Sequence, residues 1–187
     1  MLPKFDNFKS QKIRNAREIL PAGGYVCKIL KAETLTTDWG MKLVLSFDIT
    51  EGEFTNFFKT DYNDQPEDRK KWRGVWRINY PTGDGSEQDT WKQKTINNLA
   101  ACLEESNPGF AWDWDETKLK GKAIGILFRE FDWEMDGRSG TSTEAHSCTD
   151  VESIRAGKFR IGKKRALRNT APAAAPDHAA DDDDLPF

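Results

Sequence analysis

Between Met41 and Ile49 the chain alternates with a period of two. Met41, Leu43, Leu45, Phe47 and Ile49 are set against Lys42, Ser46 and Asp48. An extended strand with one buried face is the arrangement that puts such residues on one side. Val44 is the one apolar residue on the outer face. A half-buried strand needs neighbours, so this segment commits the chain to a sheet. A preceding strand is expected over 25–32, with Tyr25, Cys27 and Ile29 on one face and a turn carrying Trp39 between the two. Glu51-Gly52-Glu53 reads as a hairpin turn into a third strand over 54–60.

A helix begins near Asp89 or Thr90. Ile96, Leu99, Ala100 and Leu103 form one apolar stripe at i, i+3, i+4 and i+7. Asn107-Pro108-Gly109 ends it. A fourth strand is expected over 122–133, a flexible loop over 136–140, and a weaker fifth strand over 142–149. Asp150 caps a short turn or helix through Arg155. Three strands, one helix and two strands is the order of an OB-fold, a five-stranded Greek-key barrel with one helix between strands 3 and 4. The strand count alone also fits other small β-barrels. The expected division is a basic arm over 1–20, one mainly β domain over 21–168, and a disordered acidic tail over 169–187.

Charge sharpens that division. Residues 169–187 hold five Asp and no Lys or Arg, leaving 26 of the 31 carboxylates in the body against all 28 cations. A body near +2 with an acidic tail points to two partners, one anionic and one basic. Cys27, Cys102 and Cys148 lack metal-ligand spacing and read as apolar filler in a reduced compartment. Lys4, Asp6 and Lys9 interrupt any apolar leader, so a cytoplasmic location is expected. No cofactor motif is present: there is no P-loop, no G-x-G-x-x-G and no G-x-S-x-G.

The segment 59–80 interleaves cations and rings: Lys59, Tyr62, Lys70, Lys71, Trp72, Arg73, Trp76, Arg77 and Tyr80. Single-stranded nucleic acid offers phosphates and bare base faces, and this mixture meets both. Trp39 in the first turn is positioned to flank the same groove. The other reading makes Trp72 and Trp76 one buried stripe. Lys158, Arg160, Lys163, Lys164, Arg165 and Arg168 extend the phosphate track or meet the chain's own tail. Asp113, Asp115 and Glu116 form the one acidic cluster that invites a Mg²⁺ nuclease reading, although they also suit a turn.

The chain ends Asp181-Asp182-Asp183-Asp184-Leu185-Pro186-Phe187. This resembles the acidic tip of bacterial-type single-stranded DNA-binding proteins, with Leu185 in place of the more usual Ile. The resemblance implies recruitment of replication and repair enzymes. Phe187 would fill a pocket and the Asp run would lie on a basic rim. The body is also similar to a family of phage-encoded proteins related to single-stranded DNA-binding proteins. The fragments that carry this are Leu20-Pro21-Ala22-Gly23-Gly24-Tyr25, Phe47-Asp48-Ile49 with Gly52, Lys71-Trp72-Arg73-Gly74, Glu105-Ser106-Asn107-Pro108-Gly109, Lys118-Leu119-Lys120-Gly121-Lys122, and Ile154-Arg155-Ala156-Gly157-Lys158-Phe159. That resemblance implies an OB-like fold, non-sequence-specific binding of single strands and no catalysis. The chain as a whole is expected to coat single strands in phage DNA replication or recombination, with a homo-oligomer left open. The rival readings are a single-strand annealing protein, a nuclease, and an adaptor that binds no DNA. A flexible tail of this length spans about 25 Å on average, enough to reach its own body or an enzyme. Deleting 181–187 should tighten oligonucleotide binding and abolish enzyme recruitment; an unchanged affinity in both titrations overturns the assignment of the tip.

Overall fold

The computed structural model describes residues 18–38 and 40–167. Its centre is β1 (Gly23–Thr37), a 15-residue strand that serves two neighbours. Gly23 to Lys28 pair with β4 (Ala123–Met135), and Cys27 to Thr37 pair with β2 (Gly40–Ile49). The change of partner coincides with a bulge between Ile29 and Lys31. A bulge adds one unpaired residue and sharpens the local twist, so β1 bends as it passes from one neighbour to the other. Beyond β1's reach, Arg165 becomes β4's neighbour, donating to the Glu130 carbonyl at 2.9 Å and accepting from Asp132 N–H at 3.0 Å.

β3 (Val75–Asn79) pairs with β2, and β5 (Arg138–Thr149) pairs with β4. The result is a five-stranded antiparallel sheet in the order β3-β2-β1-β4-β5. The expected closed barrel is corrected here. β3 and β5 approach each other but share no ladder, so the sheet curls without closing. β3 is only five residues long, and Leu20 sits at the seam, 3% exposed, its carbonyl accepting from Thr143 Oγ1 at 2.7 Å.

The third strand expected over 54–60 is instead a turn and a helix, α1 (Phe57–Asn63). Phe54, Phe57 and Phe58 stand at helical spacing, and Asn56 enters the left-handed region at φ 60°. The anchor is Asp48, 6% exposed, whose carboxylate accepts from the N–H groups of Ile49, Phe58 and Lys59 at 2.9, 3.0 and 3.1 Å. This fastens the start of α1 to β2 and drives Phe58 into the core. There Phe58 meets Phe47 edge-on and stacks near Phe128, with centroids 5.6 and 6.3 Å apart. Gly74 makes room for this. A Cβ there would lie 2.3 Å from the Phe47 carbonyl oxygen and 2.8 Å from the Phe58 ring.

α2 (Glu87–Ser106) begins slightly earlier than expected, with Ser86 as its cap. Its buried Ile96, Leu99, Cys102 and Leu103 pack onto the sheet. Asp89 is fully buried at its first turn. Burial pushes its carboxyl up, but bonds from Thr82, Gly83 and Gln93 outweigh this and hold it below the ordinary range. The expected loop over 136–140 shortens to an Asp136-Gly137 turn with φ of 51° and 71°, which lets β5 start at Arg138. Asp150 caps α3 (Val151–Arg155) as expected, accepting from Ser153 N–H at 2.7 Å. No helix among the described residues is long and apolar enough to cross a membrane. The arm as far as residue 17 and the tail from 168 lie outside the described residues. Asp48→Ala strips three N–H groups of their acceptor and should lower stability by about 2 kcal/mol. The check is a lower urea midpoint with unchanged slope.

Candidate nucleic-acid interface

The ladder between β2 and β3 determines which groups face outward. Phe47 N–H bonds the Gly74 carbonyl at 2.8 Å, and Tyr80 N–H bonds the Met41 carbonyl at 2.9 Å. By the alternation of antiparallel pairs, Leu45 with Trp76 and Leu43 with Ile78 are the bonded pairs between them. The N–H and C=O of Arg77 and Asn79 therefore point away from β2, toward the open seam. The same register puts Trp76 opposite Leu45, on the core face. Trp76 is 5% exposed and belongs to the core, so it is removed from the expected base-stacking set. Arg77, one residue on, is exposed on the opposite face.

Four of the other expected residues come together beside β3. The rings of Tyr62 and Trp72 lie 5.8 Å apart, and Lys70 Nζ stands 5.5 Å from the Tyr62 centroid. Trp72 is oriented by its Nε1–H bond to the Gly74 carbonyl at 3.1 Å. Gln65 clasps the backbone of Lys71, accepting from its N–H at 2.8 Å and donating to its carbonyl at 3.0 Å. This imitates a strand partner and holds 70–72 in place. Two of the expected cations carry carboxylate partners. Lys70 pairs with Glu67 at 2.6 Å and Arg73 with Asp61 at 3.2 Å. Lys59, Lys71 and Arg77 are exposed and form no ion pair among the described residues. Tyr80, just past β3, opens onto a different cleft. Trp39 and the tip residues Asp181, Asp182, Asp183, Asp184, Leu185, Pro186 and Phe187 lie outside the described residues.

The seam itself holds two clefts that meet at Trp76 and Arg77. One, of about 330 Å³, is lined by Phe57, Phe58, Phe131, Arg73 and Arg77, with Glu144 on the β5 side. Glu144 is bonded by Arg165 at 2.8 and 2.9 Å and by Arg129 at 3.2 Å. Burial pushes its carboxyl up, but the two guanidinium groups prevail and hold it below the ordinary range. Its charge is thus matched twice over. The other cleft, of about 310 Å³, lies between β3 and α2, lined by Arg77, Ile78, Trp91, Lys92 and His146. Trp91 is 47% exposed. Sequence reasoning missed Trp91, Lys92 and Phe131. The mismatch between α2's apolar stripe and an off-stripe Trp91 was the available signal.

Of the basic C-terminal stretch, Lys164 pairs with Asp132 at 2.7 Å and Arg165 with Glu144. The acidic cluster does not converge on one point: Asp113 pairs with Lys118, and Asp115 caps the short 3₁₀ turn Glu116–Leu119 by accepting from Thr117 at 3.0 Å. Among the described residues no group of three or more His, Cys, Asp or Glu is placed to hold a metal ion. No family model and no curated protein sequence matches this chain significantly. Trp76→Ala should cost about 3–5 kcal/mol as a core truncation. Trp72→Ala, whose ring is only partly buried against the core, should cost less in the same urea titration.

Proposed function

We propose that this is an OB-fold-like protein that binds single-stranded DNA without sequence preference along the free edge of β3, coats it during phage replication or recombination, and recruits enzymes through its C-terminal tip. One observation carries the reading. Arg73 and Arg77 line one cleft, Arg77 with the exposed Trp91 and Lys92 of α2 lines the adjoining one, and Trp72 of the Tyr62–Trp72 ring pair directly precedes Arg73 in the chain. Rings and cations in alternation suit bases and phosphates in alternation.

The sheet order supports the fold assignment. A partly open five-stranded barrel with its helix between β3 and β4 keeps every ladder seen here and lacks only β3 to β5. The pairing of Lys70 and Arg73 with carboxylates is a weak obstacle. Exposed ion pairs are worth about 0–1 kcal/mol, whereas one stacked base is worth about 1–3 kcal/mol.

Titration with oligo-dT should quench tryptophan fluorescence, and affinity should fall steeply with salt. Arg77→Ala should weaken binding and reduce the salt slope by about 1. Trp91→Ala should weaken binding with the slope unchanged. A titration with no saturable quench at low salt, or an Arg77→Ala variant with wild-type slope and affinity, overturns this reading.

A further inference from the structure

Tyr80 and the acidic Trp loop meet in a place the nucleic-acid reading does not use. A cleft of about 210 Å³ is lined by Thr34 and Met41 from the β1–β2 hairpin, Tyr80 from the end of β3, and Trp112, Trp114 and Glu116. We propose that this cleft is an aromatic cage that takes the guanidinium group of an arginine exposed on a protein partner.

The cage is held from outside. Trp112 N–H donates to Glu104 Oε1 at 2.9 Å, which ties the loop to the end of α2. Its ring Nε1–H donates to the Asp115 carbonyl at 3.2 Å, so the indole is fixed. The Asp113–Lys118 ion pair and the Asp115 cap brace the backbone on either side of Trp114. Trp114 itself has φ 69°, a left-handed conformation that a tryptophan keeps only when its surroundings hold it. The outcome of that constraint is a ring tilted 32° over Trp112 at 5.0 Å and 56% exposed. A large apolar ring is displayed where burial would have been favoured.

The chemistry of the lining selects the ligand. Three aromatic rings line the cleft, and Trp114, tilted over Trp112 and 56% exposed, offers its outer face to a cation. Glu116 is half-buried at the wall and forms no ion pair among the described residues. The one nearby lysine of the turn, Lys118, is already engaged by Asp113. With Asp113 and Lys118 cancelling one another, Glu116 leaves the cleft wall negative, which disfavours a phosphate chain. A planar, weakly hydrated guanidinium can stack on an indole while its N–H fork meets a carboxylate. An ammonium is more strongly hydrated and has no flat face.

The test uses the full chain and the blocked tripeptide acetyl-Gly-Arg-Gly-amide, followed by tryptophan fluorescence. Saturable binding with half-saturation in the millimolar range is expected. Glu116→Gln should weaken it about fivefold, and Trp114→Ala, an exposed position, should abolish it. Circular dichroism of both variants should match the wild-type spectrum, which separates lost binding from lost folding. Equal binding of the same peptide with citrulline, which keeps the shape and loses the charge, overturns the proposal. So does the absence of any saturable change, or loss of oligo-dT quenching in Trp114→Ala when Arg77→Ala retains it.

Discussion

The structure depends on one strand serving two neighbours. β1 gives its first residues to β4 and the rest to β2, turning at the bulge beside Leu30. A sheet with its longest strand bent in this way must curl, because every later strand inherits the twist. The curl brings β3 and β5 toward each other, but β3 is too short to build a ladder across the remaining distance, and Leu20 with α1 occupies the space. Both clefts of the seam follow from that incomplete closure. Without the bend there would be a flat sheet and no concavity. With full closure there would be no free edge.

An unpaired edge is a hazard as well as an opportunity. It offers N–H and C=O groups to any passing strand. Here the edge is protected by brevity and by the exposed polar side chains of Arg77 and Asn79. Among the described residues its outward N–H and C=O groups have no ladder partner, and a ladder bond exchanged for water costs only about 1 kcal/mol. Asp48 has the larger role. By capping α1 it converts an aromatic run into a helix, seats Phe58 beside Phe47, and leaves Gly74 as the one residue type that fits where β3 enters. The position of the whole candidate site thus traces to a buried carboxylate one residue from the strand's clearest apolar position.

Much of this was legible in the chain. β2 announced itself by alternation, α2 by its stripe and α3 by Asp150, and five strands with α2 between the third and the fourth are present, although α1 takes the place expected for the third strand. The third strand was not legible, for two reasons. Phe54, Phe57 and Phe58 favour strands by type, and the long-range bonds to Asp48 from Phe58 and Lys59 that start α1 are invisible locally. Val75 to Asn79 alternates correctly, but over five residues set among charges the pattern is too short to stand out. Trp76 was misread as a stacking ring for the same reason, since its burial depends on the register with Leu45. Closure was unreadable because it is decided by the lengths and bends of strands that never neighbour one another in sequence.

The two surfaces differ in charge, and that difference limits what each can hold. The β3 edge carries Arg77, with Lys92 of α2 beside it; Arg73 is paired with Asp61, and the carboxylate of Glu144 is matched by two arginines. The Trp112–Trp114 cleft carries an uncommitted Glu116 and has its lysine engaged elsewhere. Interactions between exposed charges fade beyond about 8–10 Å at ordinary ionic strength, so each surface is governed by its own lining and not by the small net charge of the body. Under the proposed reading, a strand of DNA is steered to one and turned away from the other. Aromatic rings occur at both, and it is the neighbouring charge that determines whether a ring meets a base or a cation.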